Sequence, residues 1–181
     1  WRKIMQPTHE AFFADPGHTN ADGHLRQAMV LCWMMMPRAG GRKVGDALNG
    51  WGSATSPVLY KDLVIVNASI ESESLVGINK KTGQEVWRAG SIRDSWHAPV
   101  FVNAPDGKIE VVLAMFRKVL GFDPDEGKQL WNCDTGINWY MCPTPVAENG
   151  IVYSIGGRNP NGALAIRAAV TPVALILLST A

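Results

Sequence analysis

Gly77-Ile78-Asn79-Lys80-Lys81-Thr82-Gly83-Gln84-Glu85-Val86-Trp87 and Gly121-Phe122-Asp123-Pro124-Asp125-Glu126-Gly127-Lys128-Gln129-Leu130-Trp131 align without a gap, and their tryptophans stand 44 residues apart. A second element keeps the same rhythm. Ser56-Pro57-Val58, Ala98-Pro99-Val100 and Thr144-Pro145-Val146 place their valines 42 and 46 residues apart. A third copy of the longer motif begins at Ala163-Leu164-Ala165-Ile166-Arg167 and then loses the pattern. A period in the forties fits either four-stranded propeller blades or paired-helix solenoids.

The segments inside each period decide between them. Leu63-Val64-Ile65-Val66, Ile109-Glu110-Val111-Val112-Leu113 and Ile151-Val152-Tyr153 are short runs rich in β-branched residues. Asp62, Pro105-Asp106-Gly107 and Glu148-Asn149-Gly150 precede them, and such turn residues between apolar runs signal hairpins. No helical stripe with caps occurs over 51–167. The fold class that follows is all-β, built of consecutive four-stranded antiparallel blades. Strands are predicted at 56–60, 63–68, 74–79 and 85–88 in the first blade, and at 98–103, 109–115, 118–123 and 129–132 in the second. The third is legible only in part, at 144–147, 151–154 and 163–167.

These residues resemble the PQQ-like (pyrroloquinoline-quinone-like) β-propeller repeat family. The pattern Gly/Ala-x-Asp-x-x-Thr-Gly-x-x-x-Trp is similar to its tryptophan-docking motif, with Asn79 for Asp in one copy and Glu126 for Thr in the other. The resemblance covers about 51–167 and implies that Gly83, Trp87, Gly127 and Trp131 dock neighbouring blades. Closed propellers have about four to eight blades. The two full blades and part of a third found here therefore imply an incomplete propeller, either a fragment or one interrupted by an insertion.

The family includes quinone-dependent dehydrogenases holding PQQ and Ca²⁺, as well as non-catalytic envelope scaffolds. The dehydrogenases typically carry an adjacent Cys-Cys pair beside the cofactor, and Cys32, Cys133 and Cys142 include no such pair. The resemblance thus implies a non-catalytic scaffold or binding module of the bacterial cell envelope, periplasmic or secreted, that presents channel-mouth loops to a protein or glycan. No cofactor is expected. PQQ and Ca²⁺ belong to the alternative, a fragment of an alcohol or sugar dehydrogenase.

Composition narrows the partners. Seventeen Lys and Arg against sixteen Asp and Glu give a formal charge of +1, so no field favours nucleic acid. Charged residues make up 18% and apolar residues 46% of the 181, which suits a compact body with much buried surface. No apolar run is long enough for a helical membrane span. The three cysteines lack metal-ligand spacing; Cys133 and Cys142 are either paired across a short loop or free.

The ends depart from the repeat. Residues 1–50 form an atypical segment, an insertion or loop. Its His9, His18 and His24 fit no zinc spacing, and Cys32 with Met34–Met36 offers soft sulfur that equally fills a core. Residues 168–181 are an apolar tail, either a closing strand or a departure from the reading frame.

The links from one blade to the next carry the candidate surface. They hold Trp51, Arg93, Asp94, Trp96, His97, Trp139 and Tyr140. Aromatics with a few charges at the rim of a concavity suit ligand binding. Trp96 and His97, directly before Ala98-Pro99-Val100, are the first choice. Trp offers a rigid stacking plane, and His a pH-dependent hydrogen bond.

Overall fold

The computed structural model describes residues 55–158, 161–168 and 175–178. The atypical segment, Cys32 and Trp51 lie outside them. The chain forms three four-stranded antiparallel sheets in sequential order. Blade 1 comprises β1 (Val58–Tyr60), β2 (Leu63–Ala68), β3 (Ser74–Asn79) and β4 (Glu85–Ala89). Blade 2 comprises β5 (Val100–Asn103), β6 (Ile109–Met115), β7 (Lys118–Phe122) and β8 (Gln129–Asp134). Blade 3 comprises β9 (Val146–Glu148), β10 (Ile151–Gly157), β11 (Asn161–Arg167) and β12 (Leu175–Leu178).

A short helix was not anticipated, and of the two readings of the tail the structure has the closing strand. A four-residue helix, α1 (Ser69–Ser72), bridges β2 and β3 and ends at Glu73 in the left-handed region. Blade 3 also has its fourth strand: β12 pairs with β11 from Ala163↔Leu178 to Ile166↔Leu175. The tail hid this strand because it carries neither the turn signature nor the tryptophan of the earlier copies.

The repeat is reproduced in register as well as in sequence. Val58 faces Ile65, Val100 faces Val112, and Val146 faces Tyr153, so these pairs occupy equivalent sites. Blades 1 and 2 each carry a register irregularity at one glycine position, Gly77/Ile78 and Gly121/Phe122. The following turns match too. Asn79 Oδ1 accepts from the amides of Lys81 and Thr82, and Asp123 Oδ1 from those of Asp125 and Glu126. An amide and a carboxylate serve equally as that acceptor, which is why Asn79 can stand for Asp. Gly83 and Gly127 then take φ of 71° and 68° and close each turn on the carbonyl of Asn79 or Asp123 at 2.8 Å.

Alternation along the central strands divides the core between blade interfaces. Leu63, Ile65 and Leu75 of blade 1 pack with Val111, Leu113, Leu120 and Phe122 of blade 2. Val112, Ala114, Trp131 and Cys133 of blade 2 pack with Val152, Leu164 and Ile166 of blade 3. Tyr153, at the site of Ile65 and Val112, is 43% exposed on the far face of blade 3. Inner strands β5 and β9 lie side by side, which sets the first strand of each blade toward the centre.

Candidate functional site

The links between blades share one end of the assembly with the β2–β3 and β6–β7 connections, and backbone hydrogen bonds join them there. Ile92 N–H donates to Glu73 C=O, Phe116 N–H to Arg93 C=O, and Thr135 N–H to Arg117 C=O. The two links also bond to each other. Ser95 and Met141, equivalent in the repeat, form an isolated parallel bridge, with Trp96 N–H on Met141 C=O and Met141 N–H on Asp94 C=O, both at 2.9 Å. Asp94 takes φ of 53° to present that carbonyl.

On this bridged base sits an aromatic array. Trp96 and Tyr140 meet edge to face with centroids 4.8 Å apart, and Trp139 lies 5.1 Å from Tyr140. The Arg158 guanidinium stands 5.7 Å from the Trp139 ring, within cation–π range. Trp139 and Tyr140 are 40% and 41% exposed, so large rings face solvent although a buried bridge lies beneath them. Arg93 is exposed and paired with Glu73 at 3.1 Å. The structure therefore brings Trp96, Trp139 and Tyr140 together, with Asp94 in their backbone support and Arg93 in an ion pair beside Ile92.

His97 is placed elsewhere. It is 2% exposed, with Nδ1 2.8 Å from Ala98 O and Nε2 3.1 Å from the amide nitrogen of Ala114. The ring can donate from Nδ1 to Ala98 O or from Nε2 to Ala114 O, 2.8 Å away, and an unprotonated Nε2 can instead accept from the Ala114 amide, so the side chain stands in for a backbone partner just before β5 begins. Burial pushes its pKa below the usual 6.5, against the opposing pull of the Ala98 and Ala114 carbonyls. The repeat supplies a parallel: Thr55, also directly before a Ser/Ala/Thr-Pro-Val opener, donates from Oγ1 to Asn67 C=O. At the third opener the residue is Pro143, which has no side-chain donor.

Beneath the links lies a buried polar network that sequence reasoning missed. Asn67 Nδ2 donates to Ser95 O, Ser95 Oγ and His97 O, and its Oδ1 accepts from Ser69 N–H. Ser69 Oγ donates to Ser95 O. One asparagine thus ties β2, the start of α1 and the first link together. In sequence, Asn67 reads as a polar interruption in an apolar strand.

The repeat tryptophans lie away from this end. Trp87 is buried and donates from Nε1 to Pro124 C=O in blade 2 at 3.2 Å. A Cβ on Gly127 would collide with that ring, whereas one on Gly83 would meet nothing. Trp131 is buried too, but its Nε1 donates to Glu110 Oε2 of its own blade at 2.6 Å. Cys133 and Cys142 are both free thiols, the first buried and the second exposed. Among the described residues, no three His, Cys, Asp or Glu side chains converge as a metal site.

With this geometry in view, the comparisons are specific about family. The family model described as outer membrane protein assembly factor BamB matches residues 71–169, more than half of the chain. The chain belongs to this family. Its architecture is that of the PQQ-like β-propellers. Among solved structures, BamB from Moraxella catarrhalis is similar at 18% identity and a TM-score of 0.50, over 67% of this chain and 35% of that one. A quinohemoprotein alcohol dehydrogenase, ADHIIG from Pseudomonas putida HK5, is similar at 12% identity and a TM-score of 0.52, over 74% of this chain and 21% of that one. The chain therefore spans about a third of the first structure and a fifth of the second. At these identities both show the fold alone. No curated protein sequence gives a significant match. Among the described residues, no helix is long and apolar enough to cross a membrane.

Proposed function

We propose that this chain is part of a non-catalytic propeller of the bacterial cell envelope, acting in the periplasm, where its linked loops hold a protein partner in outer-membrane protein assembly. The observation that carries this reading is the array of Trp96, Trp139 and Tyr140 on two loops that are hydrogen-bonded to each other. Rigid aromatic rings contribute large contact area at little entropic cost, and interface hot spots are enriched in them. Membership of the BamB family supports a protein partner over a small molecule. In the same reading, Trp87, Gly127 and Trp131 serve blade docking rather than recognition, while Gly83 closes its own turn.

A photo-crosslinking amino acid at position 139 of the protein in living cells tests this. The expected product is a crosslink to a component of outer-membrane protein assembly, lost when Trp96 and Tyr140 are both changed to alanine. Absence of any such crosslink from a folded protein would refute the reading. The same protein supplied with PQQ and Ca²⁺ is expected to show no dye-linked alcohol oxidation. Turnover there would replace the scaffold with a quinone-dependent dehydrogenase.

A further inference from the structure

Blades 1 and 2 anchor their repeat tryptophans to different acceptors. Trp87 donates across the interface to the Pro124 carbonyl, a group that never changes charge. Trp131 donates to a carboxyl group, Glu110 Oε2, at 2.6 Å. By register, Glu110 occupies in blade 2 the site that Leu63 fills in blade 1, since each lies two residues before the equivalent pair Ile65 and Val112. Leu63 belongs to the apolar interface with the next blade. Glu110 is 1% exposed at the corresponding interface with blade 3, where Trp131 packs against Val152, Leu164 and Ile166. An ionisable group has thus taken a leucine's place between two sheets.

We propose that Glu110 is a proton-operated latch between blades 2 and 3, tightening the docking of Trp131 when protonated and loosening it when ionised. A neutral carboxyl can still accept the indole N–H through its carbonyl oxygen, so the hydrogen bond survives protonation. Ionisation strengthens that single bond but brings a full charge into an apolar interface, where desolvation outweighs one hydrogen bond. Burial accordingly pushes the Glu110 carboxyl above the usual carboxylate range, although the Trp131 N–H pulls it down. The charged groups in the β5–β6 turn act in opposition, Asp106 raising and Lys108 lowering it. In the β7–β8 turn, Asp123 is engaged with its own turn amides. On blade 3, Glu148 and Arg167 border the groove between blades beside Asn103 and Pro105.

The test follows the Trp131 indole N–H by ¹⁵N-resolved NMR of the full chain from pH 4 to 8, with Trp131→Phe assigning the resonance. The expected result is a single titration with its midpoint above the ordinary glutamate value, absent in Glu110→Gln. The glutamine keeps both the shape and an acceptor. A resonance that does not move in the wild type, or one that moves equally in Glu110→Gln, would overturn the proposal. If Glu110→Gln fails to fold, Glu110→Leu restores the residue type of blade 1 and serves the same comparison. Its thermal midpoint is then expected to lose the decline that the wild type shows as pH rises through the Glu110 titration, while the acid-side dependence set by His97 remains, and a decline with rising pH equal to that of the wild type would count against the latch.

Discussion

Two glycines that look alike in sequence carry different loads, and alanine at each measures the docking of Trp87. Gly83 and Gly127 hold nearly the same positive φ, 71° and 68°, in matching turns. Alanine at either must adopt the left-handed region, which costs roughly 1–2 kcal/mol. A smaller unfolded-state entropy returns about 0.4–1 kcal/mol of that. At Gly83 nothing lies within reach of the new methyl, so the net loss is about 1 kcal/mol. At Gly127 the methyl runs into the Trp87 ring, adding an overpacking cost of about 1–3 kcal/mol. For a chain of this length, 1 kcal/mol moves Tm by about 2–4 °C. Gly83→Ala is therefore expected to lower Tm by about 2–4 °C, and Gly127→Ala by about 4–16 °C. Thermal unfolding followed by circular dichroism reads both directly. The decisive comparison is made in Trp87→Ala, where the ring is gone and the cost of Gly127→Ala is expected to fall to that of Gly83→Ala. Equal shifts for the two glycines in the wild-type background would mean that Trp87 is not seated on blade 2.

Trp87→Ala itself is expected to cost about 3–5 kcal/mol, as buried aromatic truncations do, and urea unfolding measures it. Asn67→Ala removes four hydrogen bonds beneath the first link, and a loss of about 2–3 kcal/mol is expected, because buried acceptors are left unpaired. His97 is expected to make the fold sensitive to acid. Its folded pKa lies below the unfolded 6.5, so the unfolded chain binds the extra proton first. That contribution to stability is complete above about pH 6.5 and declines as pH falls through the folded value; His97→Gln is expected to flatten the profile of Tm against pH. Changing Trp139 and Tyr140 together to alanine is expected to alter stability by no more than about 1 kcal/mol in urea unfolding, since both rings already face water.

Strand positions were legible because three signals agreed: the gapless eleven-residue copies, the Pro-Val openers and the β-branched runs between turns. Leu63–Ala68, Ser74–Asn79 and Ile109–Met115 are strands with the bounds the sequence implies. β12 was legible only as one of two readings of the tail, because Leu175–Leu178 is an unbroken apolar run whose partner can be known only from register. The link aromatics could be singled out from composition and position. Their arrangement could not, since the parallel bridge joins residues 46 apart and leaves no local pattern. His97 shows the limit most clearly. A histidine beside a tryptophan before a strand reads as a ligand contact, yet its ring substitutes for a missing strand partner, and only the starting point of β5 reveals that. Glu110 was equally hidden within Ile109–Leu113, where one carboxylate in an apolar strand looks like a solvent-facing alternation.

The bridge between Ser95 and Met141 constrains how these links can grow or shrink. Counted inward, both residues stand five positions before the first strand residue of their following blade, Val100 and Val146. Counted outward, Ser95 is six positions past Ala89 and Met141 is seven past Asp134, so the longer link carries its additional residue on the outer side. An insertion on the inner side would slide one link past the other and part their shared amides and carbonyls. An insertion on the outer side only enlarges a loop that already projects. Length variation is therefore channelled into the stretch that carries Trp139 and Tyr140, so the exposed rings can be repositioned from one relative to another while the seam beneath them stays in step.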